Sequence, residues 1–493
     1  MNKKYLLSIK FLLLLCIFGL FSPFSLLAEE LELTYYGIGY GNLEFNGKIL
    51  RQQASFYKDA GSNWVRFIDV SWNDIEPEVP LESTHNYIWE KLDYQISEWE
   101  NAGFSVQLTI NPYSKWASKR EQDPLKKLEF LGIKEERIDD YKKFVKALVS
   151  RYNLDGRDDP PGLKYPVRYY SVGFDFATKN IYEIDQKDFE SFIIATKDTV
   201  KENDKNAKLI LSGFNLENVF DVEMKEKYVE GKFHFTENQS FHLNRFLKLS
   251  QYCDVIEFKS DYSYTGLFDS FDYIKTHLQE LSINNPIWVS VLLINPVFFY
   301  RDKTYLDEYR VRAEYITKVF ANKLNPKYKM TYDWMLVKQA NLLLKKAAIT
   351  KALGADRVIF ESLEDWQTDF GFTGFTDNQA NRRPSFFALK LAQDKFGDAQ
   401  FTERLDLGEY IYAFKFEKSD KTIIVLWYDN GVFYYPWQTP PKVKISLDIT
   451  AKSAIVSKNI TKDKHKEAES ITKPVRNNLL TIVIDETPSI VEY

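Results

Sequence analysis

The sequence predicts an α/β fold: a (β/α)8 TIM barrel followed by a small all-β sandwich domain. Three observations carry this expectation. Short β-type runs alternate with amphipathic helical stretches from Tyr35 to Lys395, and strict alternation implies a parallel sheet. Eight such units in a chain of 493 residues imply a closed barrel rather than an open sheet. From about Gln400 the helical pattern stops, and short strands divided by turn-rich pieces take over. A doubly wound sheet would place a phosphate loop after the first strand. Gly37-Ile38-Gly39-Tyr40-Gly41-Asn42 supplies glycines but no G-x-G-x-x-G spacing that opens a helix.

The elements follow in order. Tyr35–Tyr40 reads as the first strand, and Lys48–Ala60 as a helix stopped by Gly61. Trp64–Val70 is the second strand, and Tyr87–Asn101 a helix stopped by Gly103 ahead of the strand Phe104–Ile110. Helix Ile138–Tyr152 leads to strand Val167–Val172, and helix Gln186–Glu202 to strand Lys208–Leu211. Helix Phe241–Ser250, strand Asp254–Phe258, helix Ser270–Leu281 and strand Ile287–Leu293 continue the pattern. Asn295–Trp334 carries helical pattern and is expected to decorate the barrel mouth. Helix Met335–Leu353, strand Arg357–Phe360 and helix Pro384–Lys395 close the set. The sandwich strands are expected at Tyr410–Phe416, Thr422–Trp427, Val443–Leu447, Ala454–Val456, Leu479–Ile484 and Ser489–Tyr493.

The first residues stand apart from this pattern. Lys3, Lys4 and Lys10 precede an apolar run from Phe11 to Leu27, and Ala28 gives way to Glu29-Glu30. A charged start, a short apolar run and a small residue at the break read as a secretory signal over 1–28, with the barrel over 29–399 and the sandwich over 400–493. The expected location is therefore outside the cytoplasm, with no membrane span once the signal is removed. Removal takes Cys16 with it and leaves Cys253 as the single thiol, so no internal disulfide and no Cys-rich metal site is expected. Acidic and basic residues nearly cancel (70 against 65), which argues against nucleic acid as a partner. The five His residues never fall at metal-ligand spacing, no Gly-x-Ser-x-Gly elbow occurs, and no cofactor is expected.

Barrel enzymes carry their chemistry at the C-terminal ends of the strands. Gly61-Ser62-Asn63-Trp64-Val65-Arg66-Phe67 with Trp72-Asn73-Asp74-Ile75-Glu76-Pro77 resembles the second-strand region of clan A glycoside hydrolases. The resemblance extends to Tyr170-Ser171-Val172-Gly173, to Asn285-Pro286-Ile287-Trp288-Val289-Ser290, to the stretch from Gln339 to Asp365, and to the ending Glu486-Thr487-Pro488-Ser489-Ile490-Val491-Glu492. It implies a retaining, sugar-cleaving barrel with a C-terminal β-sandwich. Such an enzyme needs two carboxylates about 5–5.5 Å apart. Where the resemblance places Asn-Glu after strand four, this chain has Phe174-Asp175, an acid shorter by about 1.5 Å. Where it places the nucleophile on strand seven, this chain has Val291, which can neither attack an anomeric carbon nor stabilise an oxocarbenium ion. Lys259 stands where strand six would end in a His.

Several residues remain as candidates. Asp175 occupies the acid/base position. Glu257 and Glu361, on strands six and eight, could supply a second carboxylate, and a separation of about 6.5–9.5 Å would suit inversion through water. The plainer reading of Glu257 is a buried ion pair with Lys259 or Arg66. Arg66 resembles the family's strand-two Arg and, if buried, needs an anionic partner, with Asp69, Asp175 and Glu257 as the candidates. Trp72, Tyr113, Trp116, Phe174, Tyr262, Tyr264 and Trp366 fall just after strands, where flat rings can stack on sugars. The expectation is an exported glycoside hydrolase-like protein with a degenerate site that binds carbohydrate, a glycoconjugate or a protein partner through the old cleft. The alternatives are an active glycosidase rebuilt around Asp175, and a structural envelope protein whose cleft is filled.

Overall fold

The computed structural model describes residues 31–40, 47–81, 84–121, 130–173, 185–214, 228–229, 232–233, 244–260, 263–292, 307–361, 374–377, 381–458 and 468–493. The stretch read as a signal, together with Phe174, Asp175, Tyr262 and Trp366, lies outside the described residues.

Eight parallel strands close into a barrel in chain order. They are β1 (Tyr36–Tyr40), β2 (Trp64–Ser71), β3 (Ser105–Asn111), β4 (Tyr169–Val172), β5 (Lys208–Phe214), β6 (Val255–Ser260), β7 (Ile287–Leu292) and β8 (Arg357–Glu361). A small hairpin, Tyr228–Val229 with Lys232–Phe233, lies in the excursion between β5 and β6. Closure comes from β8 pairing with β1, Tyr36 opposite Val358, while β1 also pairs with β2, Ile38 opposite Val65. The longer helices among the described residues are α1 (Gly47–Asp59), α2 (Glu90–Asn101), α3 (Ile138–Tyr152), α4 (Gln186–Asn203), α5 (Gly266–Glu280), α6 (Asp307–Ala321), α7 (Tyr328–Leu353) and α8 (Pro384–Phe396).

Alternation along each strand separates two environments. Val65, Phe67, Val106, Leu108, Tyr170, Val172, Ile256, Phe258, Val289, Val291, Val358 and Phe360 face the helices and belong to one continuous apolar core. The opposite parity faces the barrel axis. At its N-terminal end Trp64, Ile210, Val255, Trp288 and Ile359 form a plug, with the Trp64 and Trp288 rings 5.3 Å apart. Gly37 makes room for that plug, because a Cβ there would fall 2.2 Å from the Trp64 ring.

The C-terminal unit begins at β9 (Gln400–Arg404) and continues through β10 (Ile411–Lys418), β11 (Lys421–Tyr428), β12 (Val443–Asp448), β13 (Ser453–Lys458), β14 (Ser470–Pro474), β15 (Leu479–Ile484) and β16 (Ser489–Glu492). Six of these form one sheet, and β12 and β15 form the other. Ala413, Ile424, Leu426 and Val491 pack against Ile445, Leu447, Leu480 and Ile482 between the two layers. The other face of the large sheet, with Phe414, Phe416, Val425 and Trp427, joins the barrel's own core. Helix α7 lies at that junction. It buries Lys338, Gln339, Asn341, Lys345 and Lys346 as well as its apolar residues, so it has no solvent face along its middle. It ends at Gly354, whose φ of 83° no β-branched residue would tolerate.

Candidate functional site

Two residues further along each strand from the apolar plug, the barrel interior turns polar. Arg66, Gln107, Ser171, Ser212, Glu257, Ser290 and Glu361 are all buried, and Gly39 completes the ring on β1. Every strand thus contributes a polar residue or a glycine at this level. Gln107 donates to Ser171, and the Ser212 hydroxyl donates to the Gly173 carbonyl at 3.1 Å.

Arg66 organises this ring. One guanidinium nitrogen pairs with Glu257 and the other terminal nitrogen with Glu361. The side chains are 5%, 0% and 6% exposed. Gly39 is again a matter of space, since a Cβ there would lie 2.6 Å from Glu361 Cγ. Gly37 and Gly39 are thus strand residues that let Trp64 and Glu361 enter the barrel, and Gly41 lies outside the described residues.

Glu257 and Glu361, the expected candidates for a second carboxylate, both pair with Arg66. A catalytic pair needs an open gap in which the anomeric carbon can sit. Here the guanidinium fills the space between the two acids, and Glu257 is fully buried. The ion-pair reading of Glu257 is the one observed, with Arg66 as partner and Glu361 as a second anion on the same cation. Lys259 follows on the same face of β6 and is half-buried.

The aromatic candidates separate. Trp72 is fully buried, not part of a groove. Its ring stacks on Phe144 at 5.8 Å, meets Trp116 edge-on at 4.9 Å, and its Nε1–H donates to Glu76 at 3.0 Å. His85 Nδ1 contacts the other Glu76 oxygen at 2.8 Å, so Trp72 belongs to a packed polar knot behind the loop. Tyr264 is buried against the sandwich instead of the mouth, and its hydroxyl donates to Asp429 at 2.7 Å. Tyr113 and Trp116 stay half-buried on the loop after β3. Trp116 donates to the Glu76 carbonyl at 3.1 Å, and the Arg137 guanidinium lies 5.4 Å from its ring centroid.

Val291 is fully buried on the helix-facing side of β7, in the same core as Val289. The inward residue at that level is Ser290. A valine at 291 therefore reports on packing against the helix shell rather than on the chemistry of the mouth.

Among the described residues no helix is long and apolar enough to cross a membrane. Comparison of the sequence with protein-family models gives no match, and comparison with curated proteins gives none either. Comparison with solved structures gives many. A family 39 glycoside hydrolase from the gut symbiont Bacteroides cellulosilyticus WH2 matches with a TM-score of 0.60 at 12% identity, over 93% of this chain and 80% of that one. A monomeric beta-xylosidase from Caulobacter crescentus CB15 matches at 0.56 and 11%, over 93% and 96%. A family 30 endoxylanase from Clostridium papyrosolvens C71 matches at 0.53 and 11%, over 95% and 98%. Likeness at such identities concerns the fold. The chain therefore has the architecture of the clan A glycoside hydrolases, a (β/α)8 barrel with a C-terminal sheet domain, and is similar in fold to families 39 and 30.

Proposed function

We propose that this is an exported glycoside hydrolase-like protein that holds carbohydrate in the mouth of its barrel without the ordinary retaining pair. One observation carries the reading: Glu257 and Glu361, the carboxylates at the level of Arg66, are both committed to it and shielded from solvent, while Asp69, half-buried near the end of β2, accepts from the Asn111 amide at 2.9 Å. Neither Glu257 nor Glu361 is available to protonate a leaving group or attack a sugar. Above them, Tyr113 and Trp116 keep partial exposure on the loop after β3, where a ring face can meet a sugar. In the sequence, Phe174 stands where the resemblance places a polar Asn, which supports a site less suited to hydrolysis. The charged and apolar run before Glu29 supports export.

The second reading is an active glycosidase built around Asp175; the outward direction of Val291 supports it, because position 291 packs in the helix-facing core and so does not by itself report the chemistry of the site. A glycan-binding array run beside a chromogenic glycoside panel separates the two. Binding without turnover is expected. Saturable hydrolysis that disappears in Asp175→Asn would replace the first reading with the second. Absence of both binding and turnover would leave a structural role in the envelope.

A further inference from the structure

A cavity of about 230 Å³ lies between α7, the start of α5 and the large sheet of the C-terminal unit. It sits on the flank of the barrel, outside the ring that Arg66 organises. Its walls carry Lys338, Asn341 and Lys345 from α7, Tyr412 from the sheet, Asp429 from the turn after β11, and Glu486 from the loop before β16. From these residues we infer a second binding site, for a neutral, hydroxyl-rich ligand the size of one pyranose ring.

Charge selects the class. Lys345 pairs with Asp429 at 3.1 Å and Lys338 pairs with Glu486, so two cations meet two anions. An anionic or cationic ligand would bring a charge that no lining group remains to match, and burying an unmatched charge is costly. A purely apolar ligand would strip water from these polar groups without replacing its hydrogen bonds. Hydroxyls do both jobs, since each donates one hydrogen bond and accepts others. They can accept from the ammoniums and the Asn341 amide and donate to Asp429 and Glu486. Tyr412, which stacks on Trp427 at 5.4 Å, and Tyr410, which is 48% exposed, supply ring surface for sugar C–H groups. The volume falls below the roughly 300 Å³ at which drug-sized pockets begin, which points to one ring and not a chain.

Saturation-transfer NMR on the full chain tests this, with glucose, xylose and methyl β-glucoside as neutral probes and glucuronate and glucosamine as charged ones. Neutral probes are expected to saturate in the millimolar range, with charged ones weaker by about tenfold. Asn341→Leu and Tyr410→Ala, made on opposite walls, are each expected to weaken glucose by about tenfold, with a cooperative melting curve showing that each variant is folded. Equal binding of glucose and methyl β-glucoside would support a site for chain ends, and binding of glucose alone a site for free sugar. The inference fails if no neutral probe saturates, if glucuronate binds as well as glucose, or if neutral binding survives in both variants. A glycan that still binds both variants reports on the barrel mouth, so the two readings fail separately.

Discussion

Two buried ionic clusters stand on opposite sides of the helix shell, and they solve the same problem differently. Inside the barrel one guanidinium serves two carboxylates, all three from rigid strands. At the junction two ammoniums on α7 each have a carboxylate of their own from the C-terminal unit. The shared cation makes the barrel cluster brittle, because losing Arg66 strands two acids at once. The junction cluster is redundant. Asp429 also accepts from the Tyr264 hydroxyl at 2.7 Å and from the Gly431 N–H at 2.9 Å. Burial opposes ionisation of Asp429, but Lys345 and Tyr264 outweigh it and hold the carboxyl well below its usual range. The same burial pulls the Lys345 ammonium down, against the pull of Asp429.

Arg66→Met should therefore have the largest effect. Breaking a buried pair costs about 3–5 kcal/mol, and here two pairs share the cation, so a loss of about 5 kcal/mol or failure to fold is expected in urea titration. The triple change Arg66→Met, Glu257→Leu, Glu361→Leu should recover most of that loss, since apolar residues of similar volume often replace buried ions without penalty. A single variant that loses less than about 1 kcal/mol would show that the clasp is not what keeps the two acids tolerable.

Glu100 shows what a buried carboxylate does with no clasp. It is 1% exposed and accepts the Lys164 N–H at 2.7 Å. Burial raises its pKa to about 7. The folded state thus binds the proton more tightly than the unfolded state. The resulting stabilisation is complete below the unfolded value near 4.5 and is lost as pH rises through about 7. Glu100→Gln should match wild type at pH 4 and exceed it by roughly 3 kcal/mol at pH 8. Equal stability of the two proteins at both pH values would mean that Glu100 is hydrated, and that burial alone does not set the scale of the comparison.

Lys345→Met tests the redundant cluster. Asp429 keeps two donors and its side chain is 20% exposed, so the expected loss is about 2 kcal/mol, less than for Arg66→Met. A loss as large as that of Arg66→Met would show that the lysine, and not the hydrogen-bonded shell around Asp429, carries the junction.

The fold was legible because the barrel's outward residues form apolar runs and its helices have regular stops. Ile138–Tyr152 has the boundaries its pattern predicts. Two sandwich strands went unseen. Gln400–Arg404 and Ser470–Pro474 lie at the edges of the large sheet, almost wholly exposed, and so show no alternation. Helix α7 begins at Tyr328 instead of Met335, since its first turns lean on α6 through aromatic contacts such as Phe320 with Tyr332 and carry little apolar periodicity. At the site, the need of a buried Arg66 for an anion was legible, with Glu257 as one of three candidate partners. The joining of Glu361 was not, because it depends on β8 closing beside β1. The available signal was Gly39: a glycine inside a strand often marks the close approach of another group.

Glu361→Gln should have the smallest effect and asks whether the second anion is needed at all. Its carboxylate reaches one terminal nitrogen of Arg66 while Glu257 holds the other. A Gln side chain keeps an amide oxygen that can accept from the same nitrogen, so the bond survives as a neutral–charged one. The cation keeps its full partner in Glu257, and the charge next to the mouth drops by one. The expected change is a loss of about 1 kcal/mol at neutral pH, the difference between a charged and a neutral acceptor. A loss approaching that of Arg66→Met would mean that Arg66 is held from the β8 side and that Glu257 is the secondary partner. A gain in stability would mean that two acids on one cation are in excess, kept for what the mouth does rather than for the fold.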